Sequence, residues 1–412
     1  MAINKAMRAA LSVLSYSEAD IKKSYQMERW LKEISARRLR KPSLYHIWEH
    51  KVINGDHEVP VRIFMPSARE HQGILIFFHG GGWVTGSIDS YDAVCADMAN
   101  QTGRVVISVD YRLAPEHPFP AGLEDCYAVT REIFLDENLL ETEAKEIVLI
   151  GDSAGGNLAA AVSLMARDRG EFLPSRQILI YPAAGNDHSD SSPFPSVREN
   201  GTGYLLTTKR VRDYMELYRS SDEDLMNPYY APLAAKSFTD QPDTLIITAE
   251  YCPLRDEGEA YGKALKTAGN KVKIFRMPNA LHGYFSLPVR FSQVKKTYDL
   301  INCFLMEKET EREQEAAHAL MMERLREALA TLTPRQASCL HARFWEGKQF
   351  KEIAEAEGFT TSAAIVTVRN AIIKLQKYYI KRGWMEPLKE DAICTKKSPP
   401  KRSRKKTSAK KS

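Results

Sequence analysis

No run of eighteen or more apolar residues occurs in the 412-residue sequence, which excludes an ordinary membrane-spanning helix. The start of the chain sets Lys5, Arg8, Glu18 and Asp20 around a short apolar run from Ala9 to Leu14, so it reads neither as a signal peptide nor as an anchor. Cysteine is sparse and unpatterned: Cys95, Cys126, Cys252, Cys303, Cys339 and Cys394 form no CxxC pair and no metal-ligand spacing. Reduced thiols in a cytoplasmic protein are expected, with no metal and no cofactor. Charge of one sign is also lacking over most of the chain. Residues 387–412 hold ten Lys or Arg against Glu390 and Asp391, a net +8, so the overall +5 leaves residues 1–386 at −3. The basic character belongs to the tail.

What is present is a strand and helix rhythm. Val59, Val61 and Ile63 alternate onto one face around Pro60, which predicts a strand near a sheet edge, while Gly73 to Phe78 is continuously apolar and predicts a central strand. Strand patterns at 105–109, 146–150, 177–181, 244–248 and 272–276 then alternate with helix patterns at 90–102, 124–138, 157–167 and 257–268. Such alternation specifies an α/β fold with a mostly parallel sheet covered on both faces. Residues 183–238 interrupt it with Asn, Asp, Ser, Pro and Gly around one helical segment, Thr208 to Tyr218. With the N-terminal helices they are expected as a cap over the site, the plainer alternative being decorated loops. The expected organisation is cap helices over 1–50, a main domain over 51–305, a charged helical linker over 306–330, a small helical domain over 331–386, and a disordered basic tail over 387–412.

Gly151-Asp152-Ser153-Ala154-Gly155 fits the G-x-S-x-G elbow, with a strand pattern before it and a helix pattern after it. Small neighbours let the chain turn sharply enough to lift Ser153 above the sheet, and the helix N-terminus with the Ala154 N–H favours developing negative charge. His79-Gly80-Gly81-Gly82-Trp83 follows the central strand and is expected to offer backbone N–H groups to an oxyanion. His282, last in chain order, is the expected base.

These motifs, with DYRLAPEHPFPAGLED at 110–125, GDSAGGNLA at 151–159, PLRDEG at 253–258 and HGY at 282–284, closely resemble the hormone-sensitive-lipase-like branch of the α/β-hydrolases, bacterial acetyl esterases included, over about 45–305. The resemblance implies a serine hydrolase of short acyl esters with Ser153 as nucleophile, His282 as base, oxyanion donors on Gly80, Gly81 and Ala154, and a helical cap lining the acyl pocket. The chain departs from the pattern at the acid, where Cys252 stands in the place of the family's first Asp. A thiol of ordinary pKa about 8.5 is mostly neutral at pH 7, and holds an imidazole tautomer poorly. Three outcomes are open: Asp256 or Glu250 substitutes as the acid, slow turnover persists without one, or the site binds without turning over.

The last part of the chain has its own pattern. LTPRQ starts a capped helix at 332–336, KEIAEAEGF at 351–359 ends on a glycine turn, and a helix runs from Thr360 or Thr361 to Ile380 with Ala364, Val368, Ala371, Ile372 and Leu375 at apolar spacing. Residues 331–384 resemble region 4 of sigma factors and response-regulator helix-turn-helix modules. That resemblance implies a recognition helix in a major groove, with Ser362, Thr367, Arg369 and Asn370 as the DNA-contacting residues. Exposed Ile365 and Val366 suit a protein contact equally well. The expected partners are a small acyl ester or related ligand, and DNA or RNA polymerase through 331–412, with pairing of two copies in keeping with such modules. Three functions follow: an esterase with an attached binding module, a small-molecule sensor in a transcription regulator, or a docking scaffold.

Overall fold

The computed structural model describes residues 20–39, 47–67, 73–135 and 146–384, with side chains for all of these except 35–39 and 307–319. The expected disordered tail and residues 1–19 lie outside the described residues. The chain divides into two compact units, 1–307 and 308–412.

The first unit is built on an eight-stranded sheet: β1 (Ile47–Asn54), β2 (His57–Phe64), β3 (Ile74–Phe78), β4 (Val105–Val109), β5 (Ile147–Asp152), β6 (Arg176–Ile180), β7 (Asp243–Tyr251) and β8 (Val272–Leu281), in the order β1-β2-β4-β3-β5-β6-β7-β8. The β1/β2 and β2/β4 pairs are antiparallel and all others parallel. Central β3 and β5 are buried along their whole length, as continuous apolar runs require when helices cover both faces. Pro60 sits in β2, one strand in from the edge; its carbonyl accepts from Asp110 N–H at 3.0 Å. Edge strand β1 departs from the expected helical 1–50 segment. Trp48 and Ile53 are exposed on it and Glu49, His50 and Lys51 break the alternation, so it carries the polar signature of an edge.

Among the described residues eight helices follow: α1 (Ile21–Leu39), α2 (Ile88–Thr102), α3 (Ala121–Leu135), α4 (Ala154–Arg169), α5 (Pro195–Glu199), α6 (Thr208–Tyr218), α7 (Arg255–Thr267) and α8 (Ser292–Leu329). The 183–238 region supplies α5 and α6, and with α1 it forms a helical cap. Arg210 of α6 forks onto both carboxylate oxygens of Glu28 in α1, and Arg29 of α1 donates to the carbonyls of Val84 at 2.7 Å and Ala114 at 2.8 Å. Tyr218 lies flat on Trp83 with ring centroids 4.5 Å apart. The cap is thereby fastened to the loop that follows β3.

Among the described residues three further helices build the second unit: α9 (Pro334–Phe344), α10 (Phe350–Glu357) and α11 (Thr361–Lys381). Thr333 caps α9 with a reciprocal bond to Gln336, Gly358 ends α10 in the left-handed conformation, and Thr360 caps α11. Cys339, Leu340, Ile353, Ala354, Ala364, Val368 and Ala371 form its small core. Leu329 packs on that core and Ala328 is buried, so the end of the stretch expected as a solvated linker contributes to packing.

Candidate active site

The order of strands reverses around β3 and β5, and a crevice forms beyond their C-terminal ends. Three turns meet there. Ser153 follows β5 with φ 57° and ψ −118°, a strained conformation that projects its side chain clear of the sheet before α4 begins. Gly155 makes the turn possible, since a Cβ there would come within 1.9 Å of the Phe78 carbonyl oxygen.

His282 directly follows β8. The strand expected to stop at 276 continues to Leu281, which pairs with Tyr251 at the end of β7. The residues next in line, His282 and Cys252, therefore lie side by side. Ser153 Oγ is 2.8 Å from His282 Nε2, and Cys252 Sγ is 3.1 Å from Nδ1. Cys252 is fully buried, and its sulfur also accepts from Leu254 N–H at 3.4 Å. Burial pushes its thiol well above the ordinary range, so it stands beside the imidazole as a neutral group.

Neither expected substitute acid reaches the imidazole. Asp256 accepts from Ser196 N–H at 2.7 Å and from Arg255 Nε at 2.7 Å. Glu250 accepts from Asn279 N–H at 2.6 Å. Asp256 opens α7 and turns toward the start of α5, so its one-turn spacing from Cys252 does not become proximity to His282.

The three glycine amides after β3 are not equivalent. Gly80 N–H donates to Asp152 Oδ1 at 2.8 Å and is not free. The amides of Gly81, Gly82 and Ala154 have no acceptor among the described residues, and all three residues line the same cavity as Ser153 and His282. Gly82, which sequence reasoning passed over, lines the cavity with its amide unpaired among the described residues, whereas the Gly80 amide is taken by Asp152. Asp152 accepts besides from Tyr91 Oη at 3.1 Å and Tyr181 Oη at 3.2 Å, and burial pushes its carboxyl up to about 6. It ties the loop after β3 to the serine turn. The cavity measures about 430 Å³ and is walled by Trp83, Leu206, Val211, Tyr214 and Leu254.

Burial lowers the His282 imidazole to about 3, so it stays a free base through the neutral range. Protonation, which would stop it from taking the serine proton, begins only well below pH 5. The expected pH profile of kcat/KM for p-nitrophenyl acetate is flat from about pH 5 to 8, with no step near the ordinary histidine value of about 6.5. In Cys252→Asp a carboxylate beside Nδ1 favours the imidazolium, and activity is expected to fall as pH drops through a step displaced upward from the wild-type one.

On the second unit Ser362, Arg369 and Asn370 are exposed on α11, as are Ile365 and Val366. Thr367 is half-buried and its hydroxyl donates to Ala363 O at 2.8 Å.

Residues 75–286 match the α/β-hydrolase fold model, and residues 328–377 match that of sigma-70, region 4. An arylesterase of Saccharolobus solfataricus is 34% identical over 270 residues, which are 65% of this chain and 87% of that one. The carboxylic ester hydrolase LipN of Mycobacterium tuberculosis is 38% identical over 56% of this chain and 62% of its own length. Among solved structures, a hyperthermophilic esterase of the archaeon Pyrobaculum calidifontis superposes with a TM-score of 0.68 at 33% identity, covering 75% of this chain and 99% of the other. The chain belongs to the α/β-hydrolase fold family, and a sigma-70 region 4-like helical domain follows its hydrolase domain.

Proposed function

We infer that this chain is a serine carboxylic ester hydrolase for short acyl esters, of the hormone-sensitive-lipase-like branch, working slowly because its triad ends in a thiol. The observation that carries the reading is the 2.8 Å contact of Ser153 Oγ with His282 Nε2, in a cavity where three unpaired amides face the same space. Membership of the branch is supported by the DYRLAPEHPFPAGLED stretch, in which Arg112 forks onto Asp125 with both bonds at 2.8 Å.

In the reaction Ser153 Oγ attacks the ester carbonyl while His282 Nε2 takes its proton. The oxyanion moves into the amides of Gly81, Gly82 and Ala154, and His282 then protonates the leaving alkoxide. Water reverses the steps and frees the acid. The thiol is the weak link. Cys252 S–H donating to Nδ1 would leave the proton on Nε2, the wrong nitrogen for a base; only Nδ1–H donating to sulfur, a weak acceptor, gives the productive tautomer. The free thiols Cys95, Cys126, Cys252, Cys303 and Cys339 fit the reducing cytoplasm.

The reading is tested with diethyl p-nitrophenyl phosphate, which labels an activated serine whether or not turnover is fast. Mass spectrometry is expected to place one diethylphosphoryl group on Ser153. A chain left unlabelled, or labelled elsewhere, overturns the assignment.

The match of residues 328–377 supports a second reading, in which the hydrolase unit binds a small ester and the helical domain binds DNA. Arg369, Asn370 and Ser362 would meet the groove, and the basic tail would add salt-sensitive phosphate contacts. Fluorescence anisotropy with duplex DNA at low salt is expected to show retention by the full chain, weakened roughly tenfold by Arg369→Ala. No retention at low salt would sink it.

A further inference from the structure

We propose that the cavity over Ser153 selects esters that carry a carboxylate, with the Lys32 ammonium as the group that receives it. The inference rests on the esterase reading of the same site, and adds to it the chemical class of substrate.

Among the described residues two cations line the cavity, Lys32 of α1 and Arg210 of α6, and they are not equivalent. Arg210 is neutralised: its guanidinium forks onto Glu28 and also donates to Tyr214 Oη. Lys32 has no carboxylate within ion-pair distance among the described residues, and its Nζ donates to Thr85 Oγ1 at 2.8 Å. Thr85 in turn donates to Gly81 O at 3.0 Å, so the ammonium hangs from the loop that carries the free amides. Lys32 as a whole is exposed, its bond to Thr85 is half-buried, and desolvation lowers its pKa. Asp152, the one acid lining this cavity among the described residues, already holds three donors from Gly80, Tyr91 and Tyr181. An ammonium with two N–H donors to spare and no anion bound to it lowers its free energy when an anion enters.

The remaining wall narrows the choice. Trp83, Leu205, Leu206, Val211 and Leu254 are apolar and suit a short carbon chain. A single unneutralised lysine matches the one charge of a carboxylate, whereas a phosphate dianion calls for a second cation, which Glu28 has taken up. Lys32 is therefore a specificity-determining residue.

The test uses the full chain carrying Ser153→Ala, which binds without turnover, and measures Kd by titration. Methyl hydrogen glutarate places the carboxylate on the acyl side and 2-acetoxyacetate places it on the alcohol side; methyl pentanoate and ethyl acetate are the neutral counterparts. At least one carboxylated ester is expected to bind tenfold or more tightly than its neutral counterpart. Adding Lys32→Met is expected to erase that ratio, and Lys32→Arg to keep most of it. Equal binding of charged and neutral esters, or a preference that survives Lys32→Met, overturns the proposal. Wild-type turnover read in parallel separates the two claims: hydrolysis without charge preference sinks only the selectivity, while a lysine-dependent preference in binding, with no hydrolysis of any ester, upholds the selectivity and sinks the esterase reading.

Discussion

Cys252→Asp is expected to raise kcat for p-nitrophenyl acetate by about 10²–10⁴-fold, measured against wild type at pH 8. The scale comes from serine-protease triads, where removing the charge of the acid costs about 10⁴ in turnover. The structure is ready for the exchange. Sγ sits 3.1 Å from His282 Nδ1 and takes the Leu254 N–H at 3.4 Å, so an aspartate in its place meets two donors, one for each carboxylate oxygen. A charge in this buried spot is favoured by Arg255 and opposed by Glu257, and the two donors offset its desolvation. The carboxylate fixes the proton on Nδ1, leaves Nε2 free for Ser153, and stabilises the imidazolium as it forms. Ser153→Ala in the same background is expected to lose the gain completely. Unchanged turnover in Cys252→Asp, with label still reaching Ser153, would mean that the thiol does not limit the reaction.

Gly82→Ala is expected to lower kcat by about 10²–10³-fold, the cost of misplacing an oxyanion donor. A Cβ on Gly82 would lie 2.4 Å from Tyr214 Cγ, and the residue has φ +63°, where side chains are strained. Tyr214 cannot retreat freely, because its hydroxyl accepts from Arg210, which is itself held by Glu28. The loop has to give way, and the Gly81 and Gly82 amides move with it. Gly170→Ala is the control: Gly170 has a similar φ of +68° with nothing near its Cβ position, so it should lower the thermal midpoint slightly and leave kcat alone. Equal losses of activity in both variants would assign the effect to general destabilisation.

Much of the fold and of this site was legible in the sequence because its signals are local. Glycines around Ser153 and after β3 announce turns that only small residues can make, and the apolar runs at 74–78 and 147–150 announce buried parallel strands. Other features depended on side chains from distant segments. Which glycine amide is free depends on Asp152, 72 residues away, whose carboxylate takes Gly80 and leaves Gly82 to the cavity. Asp256 looked like a substitute acid on helical spacing, yet the N-terminal backbone of α5 claims it. Lys32 carried no signal, since a lysine on a charged helix is ordinary until the fold makes it line the same cavity as Ser153. Edge strand β1 was hidden by its own exposed, charged residues.

The Asp152 carboxylate has a consequence for heat inactivation. It accepts from the loop after β3 through Gly80, from α2 through Tyr91 and from the end of β6 through Tyr181, so the turn bearing Ser153 is bolted to three neighbours by one buried group. Parts joined in this way do not loosen one at a time. Catalytic competence and the central sheet should be lost in a single cooperative step, with no warm, folded and inactive form in between.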